Sequence, residues 1–563
     1  MIDTVAFPPA LILFAGAFLL PFLGGIARQA VALAAPLLTL WAVWLVPDGN
    51  VMTLGFMEYT LTPVEGDRLS RLFATIFTIM AFTGTLFSLG QGSKLELPSA
   101  FVYAGGAVGV AFAGDMITMF VFWEIMAVAS TAVIWSAGTD GAYKASMRYI
   151  TMHLFGGVVL MAGIVGLVAQ TGSIEFGPMK TDNVATWLIL IGFLVNAGAP
   201  PFSSWLPDAY PEASWSGTVF LSAFTTKTAV YVLLRGFPGT EILIPIGSYM
   251  IFYGIIYALL ENDMRRILSY SIINQVGFMV VGIGIGTELT LNGAAAHAFT
   301  HIIYKALLLM SAGSVLLMTG GVRRCTDLGG LFKCMPYTAL MGIIGALAIS
   351  SFPFTSGFIS KSMIAQGAAN QHMFWVWMGL AAASAGVFLH AGIKYPWYVF
   401  FQKDSGKRPS EPPLSMKISM GIFAFLCIGL GVYPDPLYAI LPYPVDYVPY
   451  TTGHVVTMLQ LLLFSGLAFF VMLPYMKRTL TITLDFDWFY RKLFRLAARE
   501  VVDRTSTAHT GAFEDADKRL SQLIARIFKP HGPHGLLART WPTGSMVLWA
   551  AALLALSLVF YYQ

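Results

Sequence analysis

His297, His301 and Lys305 fall four residues apart in the string His297-Ala298-Phe299-Thr300-His301-Ile302-Ile303-Tyr304-Lys305. On a helix this spacing stacks them on one face, about 6 Å apart per step. Imidazole titrates near neutral pH, so the stack suits stepwise proton transfer through water. The same two histidines have a metal-ligand spacing, although Ala298 stands where the zincin motif needs its glutamate. Buried structural histidines are the third reading.

Other charged residues lie in apolar surroundings. Glu124 is flanked by Phe122, Trp123, Ile125 and Met126. A carboxylate at bilayer depth costs a few kcal/mol or more unless it is paired, hydrated or protonated. That suits it to bind and release a proton; a protonated glutamate bonded to neighbouring backbone is the structural alternative. Lys227 lies mid-helix among apolar and hydroxyl-bearing residues, where snorkelling is difficult. It reads as a proton carrier or as a fixed counter-charge for Glu124. Lys361 directly follows a proline break, His390 and Lys394 lie one turn apart farther on, and Asp115 reads as interfacial.

The elements that position these residues are membrane helices. Of the 563 residues 57% are apolar and only 11% charged, and the mean hydropathy is +0.71. Runs such as 69–89, 116–136, 145–169, 267–286 and 374–401 approach the roughly 20 residues that cross a hydrocarbon core of about 30 Å. About sixteen such helices can be marked, and a β-barrel is excluded because short alternating segments are lacking. The first run, Ala6 to Leu23, has no basic leader or small-residue cleavage site and reads as a retained helix. The cysteines, Cys325, Cys334 and Cys427, have no paired spacing, and no dinucleotide or phosphate-loop glycine pattern occurs. No metal site and no cofactor of the chain's own are therefore expected, and no nucleic-acid partner.

Basic residues collect at Arg265 and Arg266, at Arg323, Arg324 and Lys333, at Lys403, Lys407 and Arg408, and after Lys477. With the helices numbered in order these clusters share one side, which the positive-inside rule makes cytoplasmic. The loops 47–65 and 433–453 carry acidic residues and no Lys or Arg, and fall on the other side. Two helices look broken, at 199–208 around Pro200, Pro201 and Pro207 and at 352–361 around Pro353. Proline frees backbone groups that lipid cannot satisfy, so such breaks persist against protein or water. From Asp485 to Phe528 apolar and charged residues alternate in an amphipathic pattern, which predicts surface helices before a last apolar run, Met546 to Tyr562.

Four strings taken in order carry a family likeness: Trp205-Leu206-Pro207-Asp208-Ala209; Asn262-Asp263-Met264-Arg265-Arg266-Ile267-Leu268-Ser269-Tyr270-Ser271; His297 to Lys305 with Ala306-Leu307-Leu308; and Thr355-Ser356-Gly357-Phe358-Ile359-Ser360-Lys361. Over Leu69 to Val432 the chain resembles the antiporter-like subunits of respiratory complex I and of Mrp-type cation/proton antiporters, and among them the Mrp D-type subunit. The resemblance implies an all-α polytopic core of about fourteen helices with two inverted five-helix repeats, each containing a broken helix. It implies that Glu124 is the acidic residue facing a neighbouring subunit, Lys227 the connecting lysine, His297, His301 and Lys305 the central relay, and Lys361 the exit lysine. His390, Lys394 and Asn196 are additional candidates. One match fails: the family's lysine five residues before the first break's proline is here Asn196, ahead of Pro201, and Ser203 stands where many relatives have histidine. Either Lys227 pairs with Glu124 in its place, or the N-terminal half-channel is altered or silent.

The expected organisation is N-terminal transmembrane helices at 1–97, a first inverted repeat at 98–234, a second at 235–402, and C-terminal core helices at 403–474. A cytoplasmic amphipathic segment at 475–541 and a terminal anchor at 542–563 complete it. The expected function is proton or monovalent-cation translocation in a multisubunit complex of a bacterial-type inner membrane. Its partners would be other antiporter-like and small membrane subunits, the bilayer, and a redox or other driving module. In a complex I-like assembly the whole would be an NADH:quinone oxidoreductase-type translocase. Coupling to sodium or bicarbonate, a metal-dependent membrane enzyme using His297 and His301, and an inert scaffold are the alternatives.

Overall fold

The computed structural model describes residues 7–474, 485, 488, 492–493, 496–497, 499–500, 518–526 and 543–561. The chain opens with α1 (Ala10–Leu19) and α2 (Gly25–Leu45), a hairpin of β1 (Gly49–Phe56) and β2 (Tyr59–Gly66), and α3 (Arg68–Phe87). Next come α4 (Glu96–Phe112), α5 (Met116–Trp135), α6 (Asp140–Thr171), α7 (Val184–Ala197), α8 (Trp205–Ala209), α9 (Gly217–Leu221) and α10 (Thr225–Gly236). A second series holds α11 (Leu243–Leu260), α12 (Met264–Ile285), α13 (Glu288–Met318), α14 (Pro336–Ile349), α15 (Ser356–Asn370) and α16 (Phe374–Val387). The series ends with α17 (Leu414–Val432), α18 (Asp435–Tyr438) and α19 (Thr452–Met472).

Among the described residues twelve helical stretches are long and apolar enough to cross a membrane, and four shorter apolar helices accompany them. They coincide with the sixteen expected apolar runs. Side chains are arranged as a lipid-facing protein requires: Phe18, Trp41, Phe425 and Phe464 are exposed, whereas Lys227, His297, His301 and Lys305 are fully buried. Two apolar stretches, Gly217–Gly236 and Met264–Ile285, are enclosed along their whole apolar windows, so the centre of the bundle is the region that holds the polar residues.

Both expected breaks are present. α7 stops at Gly198, whose φ of 76° suits glycine, and the helix restarts at Trp205 after a cis Pro200–Pro201 bond. The indole Nε1 of Trp205 donates to Val195 O at 3.0 Å, a carbonyl in the last turn of α7 that also accepts from Gly198 N at 3.1 Å. Between α14 and α15 the chain unwinds over 350–355, with Ser351 and Phe354 at positive φ. There the freed Ile349 carbonyl accepts from Lys361 Nζ at 2.7 Å.

Three local features differ from the sequence expectation. The run Gly217 to Leu234, expected as one helix, is interrupted over 222–224, so Lys227 stands in the first turn of α10 and not mid-helix. The cause is a side chain from α4: Tyr103 Oη accepts from Thr225 N at 2.8 Å and takes that donor out of the helical ladder. The expected loop 47–65 is largely a β-hairpin whose two-residue turn is Met57-Glu58, with Met57 at φ 51°. The usual Asn-Gly or Asp-Gly turn signal is absent, which hid the hairpin. Finally, α16 passes into wider π-helical turns at Phe388–Lys394 and Trp397–Phe401, either side of Pro396. Asp115 caps α5, accepting from Thr118 N at 2.7 Å, and it also accepts from Thr62 N of the hairpin at 2.7 Å.

Met1–Phe486 forms one compact unit and Asp487–Gln563 a second. In the first, Asp485 accepts from Tyr253 Oη at 2.7 Å and Tyr270 Oη at 2.6 Å, which ties the chain after α19 to α11 and α12. In the second, 518–526 is helical and Thr543–Tyr561 is an apolar helix. Most of the expected amphipathic segment 475–541 lies outside the described residues.

Candidate functional site

The residues of the second series expected to form a relay are brought together by α13, which at 31 residues is long enough to carry His297, His301 and Lys305 on one buried face. His297 Nδ1 lies 3.0 Å from Ser360 Oγ of α15. Its Nε2 lies 3.3 Å from Tyr304 Oη, which donates to Gln275 Oε1 of α12 at 3.1 Å. Lys305 Nζ donates to Leu268 O at 3.1 Å and to Ser271 Oγ at 2.9 Å. Lys361, one residue beyond Ser360, also stands over the Phe278 ring, its Nζ 4.7 Å from the centroid. That contact places an ammonium against the negative face of an aromatic ring.

His301 is the residue with the most unsatisfied chemistry. Neither ring nitrogen meets a protein partner, although both are buried. Its ring centroid lies 6.2 Å from that of His297 and 5.2 Å from that of Tyr304, and Lys227 and Lys305 both lie within electrostatic reach. Among the described residues no carboxylate comes within ion-pair distance of Lys227, Lys305 or Lys361. Burying an unpaired ammonium costs several kcal/mol, and the cost falls away when the proton leaves. Such groups are therefore suited to exchanging a proton, and the imidazoles between them to passing it on.

The first series is arranged differently. Lys227 Nζ donates to Ser222 O at 2.6 Å, across the interruption before α10, and to Thr226 Oγ1 at 3.1 Å. It makes no ion pair with Glu124. Glu124 is half-buried on α5, with Oε1 enclosed and unpartnered. The carboxylate lies against Gly157 of α6 so closely that a methyl group there would collide with Oε1. Asn196 is buried, and its Oδ1 accepts from His153 Nδ1 of α6 at 2.7 Å. Close by, Tyr149 Oη lies 3.0 Å from Ser130 Oγ and 3.3 Å from Thr225 Oγ1, which in turn is 2.5 Å from Tyr103 Oη.

Sequence reasoning passed over His153, Tyr149, Gln275 and Ser360. For His153 a signal existed, because a histidine inside the apolar run 145–169 is as anomalous as Glu124 or Lys227. Ser360 and Gln275 carried none, since neutral polar residues are common in membrane helices and only the packing shows what they face.

His390 and Lys394 lie in the π-helical part after α16. His390 Nδ1 donates to Gly386 O at 2.9 Å, and its Nε2 is buried and unpartnered. Lys394 Nζ donates to three carbonyls at the end of α11: Ala258 at 3.1 Å, Leu259 at 2.7 Å and Glu261 at 2.5 Å. An ammonium there satisfies the orphan carbonyls and the negative end of the helix dipole, which is a capping geometry. As for metal, His297 already faces Ser360 and Tyr304, and among the described residues no three His, Cys, Asp or Glu side chains converge.

A multi-pass helical bundle with two interrupted helices and a buried row of lysine and histidine is the architecture of an antiporter-like membrane protein. Residues 113–387, from the end of α4 to the end of α16, match the family described as NADH:quinone oxidoreductase/Mrp antiporter, transmembrane region. Among curated relatives, the D-type subunit of the Na(+)/H(+) antiporter of Alkalihalophilus pseudofirmus is 29% identical over 402 residues, covering 65% of this chain and 80% of that one. The fold is similar to a chain of the membrane-bound sulfane sulfur reductase, an archaeal respiratory membrane complex, with a TM-score of 0.72 and 23% identity over 98% of this chain and 99% of that chain. It is likewise similar to a chain of the Mrp complex from Dietzia sp. DQ12-45-1b, with a TM-score of 0.67 and 18% identity over 83% and 99% of the two chains.

Proposed function

We propose that this chain moves protons, or a monovalent cation coupled to them, along the buried polar row, as one subunit of a multisubunit complex in a bacterial-type inner membrane. The observation that carries this reading is the set of buried lysines, Lys227, Lys305 and Lys361, lodged on carbonyl and hydroxyl oxygens without a carboxylate partner, with two histidines among them. Each of these three ammonium groups has at most two neutral acceptors, fewer than the three carbonyls that hold Lys394, so more of its burial cost stands uncompensated. A buried ammonium so weakly compensated is suited to a site where its proton comes and goes. In this reading residues 98–234 and 235–402 are the two repeats, and the basic loops face the cytoplasm.

The partners would be other antiporter-like and small membrane subunits. The Na(+)/H(+) antiporter relative favours an ion gradient as the driving force, and the likeness to a respiratory complex favours a redox arm. The test is proton flux in proteoliposomes holding the whole purified complex, comparing Lys305→Ala and Lys361→Ala with the parent. Flux falling at least about tenfold in both is expected. Parental flux in both variants overturns the reading.

A further inference from the structure

We propose that His153 is the proton-binding group of the first series, positioned by Asn196 and joined through water to Glu124. This rests on the reading of the chain as a proton carrier and assigns a site to the half where that reading has no lysine at the break.

α6 places His153, 1% exposed, against α7 and α8. Its ring is held between Tyr149 and Trp205, with centroids 4.1 and 4.7 Å away. With Nδ1–H donated to Asn196 Oδ1 at 2.7 Å, the tautomer is set and the basic lone pair belongs to Nε2. That nitrogen is buried and meets no protein partner. An acceptor left so costs about 1–3 kcal/mol unless water or a proton meets it.

The second unpartnered atom nearby is an acid. Glu124 Oε1 lies over Gly157, four residues beyond His153 and so on the same face of α6, about 6 Å along its axis. In the proposed route one or two waters bridge the two atoms. Gly156 and Gly157 permit the approach: a side chain at 157 would strike the carboxylate, and one at 156 would press on Val195 Cγ1 at 3.1 Å.

The other ionisable groups around His153 do not compete for this role. On α6, Arg148 forms a bidentate pair with Asp208 of α8, at 2.7 and 2.9 Å. Tyr149 faces Ser130 and Thr225, and the turn after α8 adds Tyr210 and Glu212, the latter paired with Arg323 at 3.0 Å. α7 contributes only the neutral Asn196.

The step is a proton transfer. Glu124 gives its proton through the bridging water to His153 Nε2, leaving a carboxylate and an imidazolium of opposite charge. The imidazolium then releases the proton toward the Tyr149–Thr225 hydroxyls beside Lys227, and Glu124 is reprotonated from its half-exposed side.

The test uses the whole complex in proteoliposomes with four variants. His153→Gln keeps a polar side chain but removes the titrating nitrogen, and flux should fall at least about tenfold. Asn196→Ala removes the positioning bond, and the pH profile of flux should shift from the parent's. His153→Gln combined with Asn196→Lys returns a titratable group to the break and should recover flux toward the parental rate. Lys305→Ala is the control for the underlying reading. Parental flux in His153→Gln with loss in Lys305→Ala overturns the role of His153 alone, and parental flux in both overturns the reading with it. If His153→Gln fails to assemble, the Asn196→Ala profile decides, and a profile identical to the parent's overturns the proposal.

Discussion

The two interrupted helices are built alike and finished differently. In each, a helix of about the same length, α6 with 32 residues and α13 with 31, runs along the break and offers it a histidine whose Nδ1 meets a polar side chain, Asn196 or Ser360. The carbonyls at the two breaks have different partners. In the first break Val195 O accepts from the backbone N–H of Gly198 at 3.1 Å and from the Trp205 indole, donors that do not titrate in water. In the second, Ile349 O accepts from the Lys361 ammonium, which does. In the proposed reading the same backbone defect serves as a fixed joint on one side and as a seat for a movable proton on the other.

Substitutions at these two carbonyls bear on that contrast most strongly. Lys361→Met should abolish most proton flux, by at least about tenfold, with the complex still assembled. Its counterpart Trp205→Phe should leave flux within about twofold and cost about 1 kcal/mol in thermal unfolding, the worth of one hydrogen bond. Equal effects on flux would erase the distinction between the two breaks.

Gly157→Leu comes next. It drives a side chain into the space held by the Glu124 carboxylate, and flux should drop several-fold while the second series keeps its hydrogen bonds. Parental flux would mean that Glu124 need not lie against α6.

Lys394→Met should act mainly on stability. Loss of three charge-assisted bonds to the end of α11 should cost about 1–3 kcal/mol, read as a lower unfolding temperature, with a smaller effect on flux than Lys361→Met. Large flux loss at unchanged stability would make Lys394 a relay residue and not a cap. The smallest effect is expected from Met57→Gly in the hairpin turn, where relief of a positive φ should add about 1 kcal/mol and leave flux unchanged.

Helix positions and both proline-marked breaks were legible because hydropathy and proline act locally. The row His297, His301, Lys305 was legible for the same reason, since a four-residue spacing on one helix needs no tertiary knowledge. What stayed hidden depends on contacts between helices. The interruption before Lys227 is caused by Tyr103 reaching from another helix, and no proline or glycine announces it. The neighbours of Asn196 and His301 likewise follow only from packing. Of the two alternatives left open for Asn196, the pairing of Lys227 with Glu124 has no counterpart in the geometry, because Lys227 turns to Ser222 O and Glu124 to Gly157.

Lys227 of the first series and Lys305 of the second both lie within electrostatic reach of His301, and neither of its nitrogens is engaged. Proton flux through the whole complex carrying His301→Gln is therefore the most direct test of a continuous row. A loss of at least about tenfold with normal assembly is predicted. Flux equal to the parent's would contradict proton passage between the two halves.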